Sequence, residues 1–135
     1  ITSGGGAVLV EGTGGGAGSS VTNHGVYVAG KGTITSGGPG AAVTVVMSAE
    51  GYPGDARKGD PIEGLETAPQ GEDSIVFHAG TAKKDGAWFT DGGRVLGVTA
   101  VGKDLPQARE RAYSLVDAIR WRGMHFRKDI GLKGI

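Results

Sequence analysis

The sequence changes character near residue 40, and this change limits what each part of the chain can fold into. Residues 1–40 contain 14 of the 28 glycines but only two charged side chains, Glu11 and Lys31. Residues 41–135 contain 13 acidic and 13 basic side chains, which is typical of a folded domain with a core and a solvated surface. The sequence therefore predicts a glycine-rich β extension over residues 1–40 and one small domain over residues 41–135.

The charge balance and the residue types exclude several classes of function. The 14 acidic and 14 basic side chains give a formal net charge of zero, so we expect neither nucleic acid nor a membrane as a partner. The sequence has no cysteine, which excludes disulfides, thiolate nucleophiles and cysteine zinc sites. It also lacks an apolar run of about 18 residues and a signal-peptide pattern. We expect a cytoplasmic protein that is part of a longer one, since the chain begins at Ile1.

The glycine-rich extension contains an internal repeat. The motif ITSGG at residues 1–5, followed by the apolar residues 7–10, returns at residues 34–38 and 42–45. Short apolar runs between glycine clusters predict β-strands joined by tight turns. The pattern resembles the glycine-rich repeats of bacterial β-helix and autotransporter-like surface proteins. A single coil of this kind cannot bury its own apolar face, so we expect the extension to add strands to the domain or to another copy of the chain.

Residues 41–135 are predicted to form an α+β domain. Apolar and β-branched runs predict strands over residues 41–47, 74–78 and 94–101, and the turn signal KDG at residues 84–86 predicts a hairpin between residues 77–79 and 87–90. Asp104 is a good N-cap for a helix because Gln107 follows three residues later and apolar side chains then recur at helical spacing. The expected architecture is a small antiparallel sheet or a partly open barrel packed by one main helix.

Several motifs of the domain occur in an order that resembles one enzyme family. They are GYPG at residues 51–54, KGDPI at 58–62, VFHAGT at 76–81, GGRVLGVTA at 92–100, RAY at 111–113 and FRKDIG at 126–131. Together they resemble the C-terminal domain of phosphoribosylamine–glycine ligase, also called glycinamide ribonucleotide synthetase, a member of the ATP-grasp superfamily. The resemblance covers about residues 41–135.

The resemblance implies an ATP-dependent ligase of purine biosynthesis that joins glycine to phosphoribosylamine. It also implies that ATP and magnesium are held by an ATP-grasp domain, which in the family precedes the matching region together with an N-terminal domain. In this sequence the glycine-rich repeat stands where the family carries its magnesium-binding Glu and Asn. We therefore predict no catalytic residue, no metal ligand and no cofactor in this chain, and inactivity in isolation.

Gly93 and Arg94 are the first candidates for a substrate surface. Arg94 follows two glycines and leads into a predicted strand, where backbone can approach a ligand and a guanidinium can hold a carboxylate or a phosphate with two hydrogen bonds. A salt bridge from Arg94 to Asp91 or Asp129 is the structural alternative, and the sequence does not decide between the two.

Arg127 and Lys128 are further candidates because they belong to a basic cluster near the C-terminus. A solvated cluster that follows the helix is the alternative interpretation. His78 lies at the end of an apolar strand and is interpreted as a hydrogen-bonded strand-end residue rather than as a general base. The other members of the cluster are Arg120, Arg122, His125 and Lys133.

Two functions therefore compete at the level of sequence. The first is a C-terminal domain or fragment of the ligase whose partners are the ATP-grasp and N-terminal domains. The second is a non-catalytic structural module that associates with itself through the glycine-rich strands, in a chimera with a β-solenoid repeat. They differ in whether the chain binds the missing parts of a ligase or another copy of itself.

Overall fold

A computed structural model describes residues 40–135 of the protein. The predicted strands of residues 1–39, the repeat and the proposed self-association through it lie outside the described residues. Within residues 40–135 five strands precede one main helix, an order that is typical of an α+β domain. They are β1 (Ala41–Ser48), β2 (Ser74–His78), β3 (Thr81–Lys84), β4 (Ala87–Thr90), β5 (Arg94–Gly102), α1 (Leu105–Asp117) and β6 (His125–Phe126), followed by a 3-10 turn at Leu132–Gly134.

The main sheet has the strand order β2-β5-β1-β6, and all of its pairs are antiparallel. Because β2 and β6 are both edges, the described sheet is open, and the partly open barrel considered from the sequence is not formed. Alternate residues of β1, namely Val43, Val45 and Met47, are buried. Successive side chains of a strand point to opposite faces of the sheet, so the face that carries these three residues is the one that packs in the core.

Helix α1 covers this core face. The carboxylate of Asp104 accepts a hydrogen bond of 2.9 Å from the backbone N–H of Gln107, which confirms the predicted N-cap. The helix packs mainly on β5 and β1, and its buried residues lie at helical spacing. These residues are Ala108, Ala112, Leu115 and Val116.

Strands β3 and β4 form a separate hairpin, and its position corrects part of the sequence prediction. The turn at Asp85 and Gly86 is as expected, with φ angles of 48° and 81°. Two consecutive residues with positive φ are typical of the tight turns that match the twist of a hairpin. The strand that pairs with β4 is, however, Thr81–Lys84 and not residues 77–79, which belong to or follow β2.

The long segment between β1 and β2 is held against the hairpin by backbone hydrogen bonds. The N–H of Gly59 donates to the carbonyl of Thr90, and the N–H of Thr90 donates in turn to the carbonyl of Asp60. The buried carboxylate of Asp60 lies 2.9 Å from the Arg57 guanidinium, to which its Oδ1 is hydrogen-bonded. These hydrogen bonds join the segment to the end of β4.

Candidate functional site

The face of the main sheet that α1 leaves uncovered forms a cleft. It has a volume of about 510 Å³ and is bounded by side chains of β1, β2 and β5 and by the loops before β5. Pairing of the strands places Gly97 beside both Val46 and Phe77 at the centre of this face. The lining residues are Thr44, Val46, Tyr52, Phe77, His78, Ala79, Gly93, Arg94, Leu96, Gly97 and Thr99.

Gly93 and Arg94 lie together at the rim of this cleft, where β5 begins. Arg94 is exposed, and no ion pair within residues 40–135 involves it. The two acids considered as its partners are engaged elsewhere, since Asp91 lies 3.9 Å from Lys58 and Asp129 pairs with Arg127. In the described part of the chain, Arg94 is therefore a guanidinium available to an anion from outside.

The Tyr52 ring leaves no room for a side chain at position 93. A Cβ at this position would lie 2.5 Å from Cδ2 of the Tyr52 ring, so any side chain would displace the tyrosine from the rim. The carbonyl of Gly93 accepts a hydrogen bond of 2.8 Å from the N–H of Ala49, which fixes the backbone before Arg94. The absence of a side chain at Gly93 thus leaves room for the Tyr52 ring at the rim of the cleft.

A pair of hydroxyl groups forms a polar part of the cleft wall. The Oγ1 atoms of Thr44 and Thr99 lie 2.8 Å apart across the β1–β5 pairing and form a hydrogen bond. Thr99 is almost fully buried, whereas Thr44 is half-buried. The remaining wall at the centre of the sheet is apolar, with Val46 on one side and Phe77 on the other.

His78 lies at the end of β2, at the margin of the cleft, as a hydrogen-bonded strand-end residue. Its Nδ1 lies 3.0 Å from Oγ1 of Thr81, and its ring packs on the indole of Trp88 with centroids 4.1 Å apart. Burial and, to a smaller extent, the charge of Lys83 lower the pKa of His78 below its ordinary value of 6.5. Arg94 is therefore the principal cation of the described cleft near neutral pH.

The lowered pKa of His78 predicts a pH-dependent stability. The unfolded chain takes up the proton near pH 6.5, whereas the folded chain resists it, so the free energy of unfolding should fall as the pH drops from 6.5 toward the lower folded-state pKa. Urea unfolding of the protein from about one pH unit above 6.5 to about one unit below it measures this effect. His78→Gln should flatten the profile over this interval.

His125→Gln is the matched control for the histidine experiment. The side chain of His125 is exposed on β6, and its loss should leave the slope with pH as it is in the unmodified protein. Equal slopes in the unmodified protein and the His78→Gln variant would contradict the assignment.

The structure places the other two candidate residues outside the cleft. Arg127 holds Asp129 with hydrogen bonds of 2.9 and 2.6 Å, and these bonds lower the pKa of the Asp129 carboxyl. Lys128 is exposed, and its carbonyl accepts a hydrogen bond of 2.7 Å from Arg109. Neither Arg127 nor Lys128 lines the cleft, so the structure brings together only Gly93 and Arg94 of the four sequence candidates.

The segment that contains Arg127 and Lys128 is attached to α1 through its backbone. The hydroxyl of Tyr113 donates to the carbonyl of Arg127 at 2.5 Å and accepts from the N–H of Ile130 at 3.2 Å. Arg109 donates to the carbonyls of Lys128 and Ile130 at 2.7 and 3.1 Å. Side chains of the helix thereby fix the course of the C-terminal segment.

Within residues 40–135 there is neither a metal-binding cluster nor a membrane-spanning helix. No group of three or more His, Asp or Glu side chains lies close enough together to hold a metal ion. Among the same residues, no helix has both the length and the apolar character needed to cross a membrane.

Sequence reasoning missed the residues that give the cleft its shape. Tyr52 lies in the GYPG motif, and Phe77 and Gly97 lie in predicted strands, but none of the three is a site candidate from the sequence. One signal was available for Gly97, because a glycine inside a strand often marks a place where another group approaches closely. The other residues become cleft residues only through the pairing of β2, β5 and β1, which the sequence does not specify.

Comparisons with known proteins agree on one family. Residues 42–133 match the family described as Phosphoribosylglycinamide synthetase, C domain. The phosphoribosylamine–glycine ligase of Synechocystis sp. is 55% identical over 96 residues, which are 71% of this chain and 23% of that protein. The chloroplastic phosphoribosylamine–glycine ligase of Arabidopsis thaliana is 52% identical over 97 residues, which are 70% of this chain and 18% of that protein.

A solved structure shows the same arrangement. The crystal structure of phosphoribosylamine–glycine ligase from Thermotoga maritima matches with a TM-score of 0.56 and 39% identity, over 65% of this chain and 21% of that chain. This match confirms the α+β class with an antiparallel sheet and one main helix. The chain spans less than a quarter of the length of these relatives. Through residues 42–133, this chain belongs to the phosphoribosylglycinamide synthetase C-domain family.

Proposed function

We propose that this chain supplies the C-terminal domain of a phosphoribosylamine–glycine ligase, and that its helix-free sheet face forms one wall of the active site in the assembled enzyme. The observation that carries the proposal is the open cleft with Arg94 at its rim. Arg94 has no ion-pair partner among residues 40–135, so its charge is available for an anionic group that other parts of the enzyme bring to it. The ligases that match this chain are named for the joining of glycine to phosphoribosylamine.

The role of this domain is to bind and enclose rather than to transfer the phosphoryl group. Phosphoryl transfer requires a metal and cationic groups that neutralise charge on the phosphate oxygens. We propose that ATP and magnesium are held by ATP-grasp and N-terminal parts of the enzyme, which act as partners of this chain in the cytoplasm. The contribution of this chain is the positioning of one anion by Arg94 and the exclusion of water from one side of the site.

Reconstitution tests the proposal. The Synechocystis ligase, shortened by the region that matches this chain, should produce little ADP from ATP, glycine and phosphoribosylamine. Addition of the full 135-residue chain should restore ADP formation that depends on both acceptor substrates, while the chain alone should form none. A mixture that is no more active than the shortened ligase, although the added chain is folded by circular dichroism, would refute the ligase function.

Sedimentation of the same samples separates the two competing functions. A ligase domain should sediment in a complex with the shortened ligase. A self-associating structural module should sediment as a homo-oligomer that does not bind the shortened ligase. The second result, together with absent activity, would favour the module and the chimera with a β-solenoid repeat.

A further inference from the structure

The edge of the main sheet that β2 forms is partly closed by the chain itself. The N–H of Val76 donates a hydrogen bond of 3.0 Å to the side-chain oxygen of Gln70, on the side of β2 that faces away from β5. Backbone hydrogen bonds of 3.0 and 3.4 Å between Gly71 and Ser74 cover the start of the same edge. Such contacts occupy backbone groups to which another strand could otherwise pair.

The outer side of β1, in contrast, is open over most of its length among residues 40–135. Strand β1 has eight residues, but β6 pairs only with Met47 and Ser48 at its C-terminal end. In the same part of the chain, no loop or side chain donates to or accepts from the backbone of residues 41–46. Residues 41–46 also contain neither proline nor a charged side chain, which are the usual means of protecting an edge from further pairing.

Alternate residues of β1 present their backbone to this open side. The N–H of Ala49 donates to the carbonyl of Gly93 at the β5 side, and along a strand the backbone groups point alternately to the two sides. The N–H and C=O groups of Ala42, Thr44 and Val46 therefore point outward. Their side chains lie on the helix-free face, because those of the intervening residues are buried in the core.

We infer that residues 32–36 of the same chain occupy this edge, as the first strand of a hairpin with β1. These residues lie outside the described part of the chain, which begins at Gly40, directly before β1. The sequence GGPG at residues 37–40 supplies a four-residue connection, a length that occurs in hairpins, and residue types that favour turns. Because only four residues separate the segment from β1, its effective concentration at the edge is high.

The pattern of the two strands specifies their register. A four-residue loop places Ile34 opposite Val43 and Thr33 opposite Thr44. Ile34 then lies on the core face, beside a valine that is only 3% exposed, and Thr33 lies on the helix-free face. A shift by one residue would reverse the faces and direct the threonines beside Ile34 toward the core. The pairing ends at Val46, because β6 occupies the positions that follow.

Hydrogen exchange in the ¹⁵N-labelled full chain tests the hairpin. The amides of Ala42 and Thr44 should exchange about tenfold or more slowly than unprotected amides, since they donate to the added strand. Their protection should be equal at about 50 µM and at about 1 mM protein, because a contact within one chain does not follow mass action. A nuclear Overhauser effect between the Hα protons of Ile34 and Val43 should report the register, since opposed residues approach most closely where they are not hydrogen-bonded.

Two matched variants place a charge on either face of the added strand. Ile34→Asp directs a carboxylate toward the core and should remove the protection of Ala42 and Thr44. Thr33→Asp places the same charge on the helix-free face and should leave that protection in place. The amides of Val43 and Val45, which point toward β5, should stay protected in both variants and show that the domain remains folded.

Three results would overturn the inference. Protection of Ala42 and Thr44 that increases with protein concentration would place a second copy of the chain on the edge. Unprotected amides at both concentrations would show that no part of this chain covers it. Equal effects of Ile34→Asp and Thr33→Asp would show that the pairing lacks the stated register. The inference does not rest on the proposed function, since reconstitution with the shortened ligase can succeed or fail whichever of these results is obtained.

Discussion

Gly64→Ala is expected to lower the free energy of unfolding by about 3 kcal/mol or more. Gly64 has φ of 79°, and a Cβ added to it would lie 2.0 Å from the carbonyl oxygen of Ala118. That oxygen belongs to the backbone at the end of α1, so the clash cannot be relieved by rotation of a side chain. Either the helix terminus or the long segment before β2 must move, and both pack on the core.

Gly59→Ala is the control for this prediction because it shares the conformation but not the contact. Gly59 has φ of 84°, and no atom lies within 4 Å of a Cβ built on it. Its replacement by alanine should lower the free energy of unfolding by about 1 kcal/mol, which is the penalty for a positive φ alone. Urea unfolding followed by circular dichroism measures both variants. Equal losses would show that the approach of Gly64 to Ala118 is not a constraint on the fold.

Leu115→Ala is expected to destabilise the domain by about 3 kcal/mol. Leu115 lies on the buried face of α1 and is only 1% exposed, so truncation removes apolar contacts and leaves a cavity between the helix and the sheet. The sheet is open and its core has only this one helix layer in the described chain, so few neighbours can collapse into the space. The midpoint of urea unfolding should fall while the slope with denaturant stays the same.

Leu132→Ala provides the matched control for the core substitution. Leu132 is 50% exposed in the terminal 3-10 turn, and its truncation should change stability by less than about 0.5 kcal/mol. A large loss in this variant would mean that the C-terminal turn is part of the core. A small loss in Leu115→Ala would mean that α1 does not close the apolar face of the sheet.

The helix and the strands β1, β2 and β5 could be predicted because their signals are local. Asp104 and Gln107 stand within one helical turn, and the hydrogen bond between them is the one that their spacing predicts. Strand β2 begins and ends where its apolar run does, at Ser74 and His78. In these elements, neighbours along the chain determine the conformation.

The pairing of the strands could not be predicted from local signals. The turn at Asp85 and Gly86 indicates a hairpin, but two strands, β2 and β3, precede this turn. Strand β2 pairs instead with β5, through five pairs of residues that are far apart in sequence. The two residues of β6 form a strand only because Met47 and Ser48 of β1 lie beside them. Such elements arise from tertiary contact, and their own sequence carries no period.

The candidate site divides in the same way. Gly93 and Arg94 could be identified from the sequence because glycines before an arginine at a strand start suggest close approach of a ligand. The charge cluster of Arg127 and Lys128 is as clear in the sequence but lies outside the cleft, since Arg127 is occupied by Asp129 two residues away. The sequence shows that basic side chains are present, but the three-dimensional course of the chain determines whether they line the cleft.

The attachment of the C-terminal segment to α1 bears on how this surface can diverge between relatives. Tyr113 and Arg109 hold the segment through the carbonyl or N–H groups of Arg127, Lys128 and Ile130. Every residue type supplies a backbone carbonyl, and every type but proline supplies an N–H. The side chains of Arg127 and Lys128 can therefore be substituted during evolution without a change in the path of the segment. Substitution of Tyr113 or Arg109, in contrast, removes hydrogen bonds that hold the segment on α1.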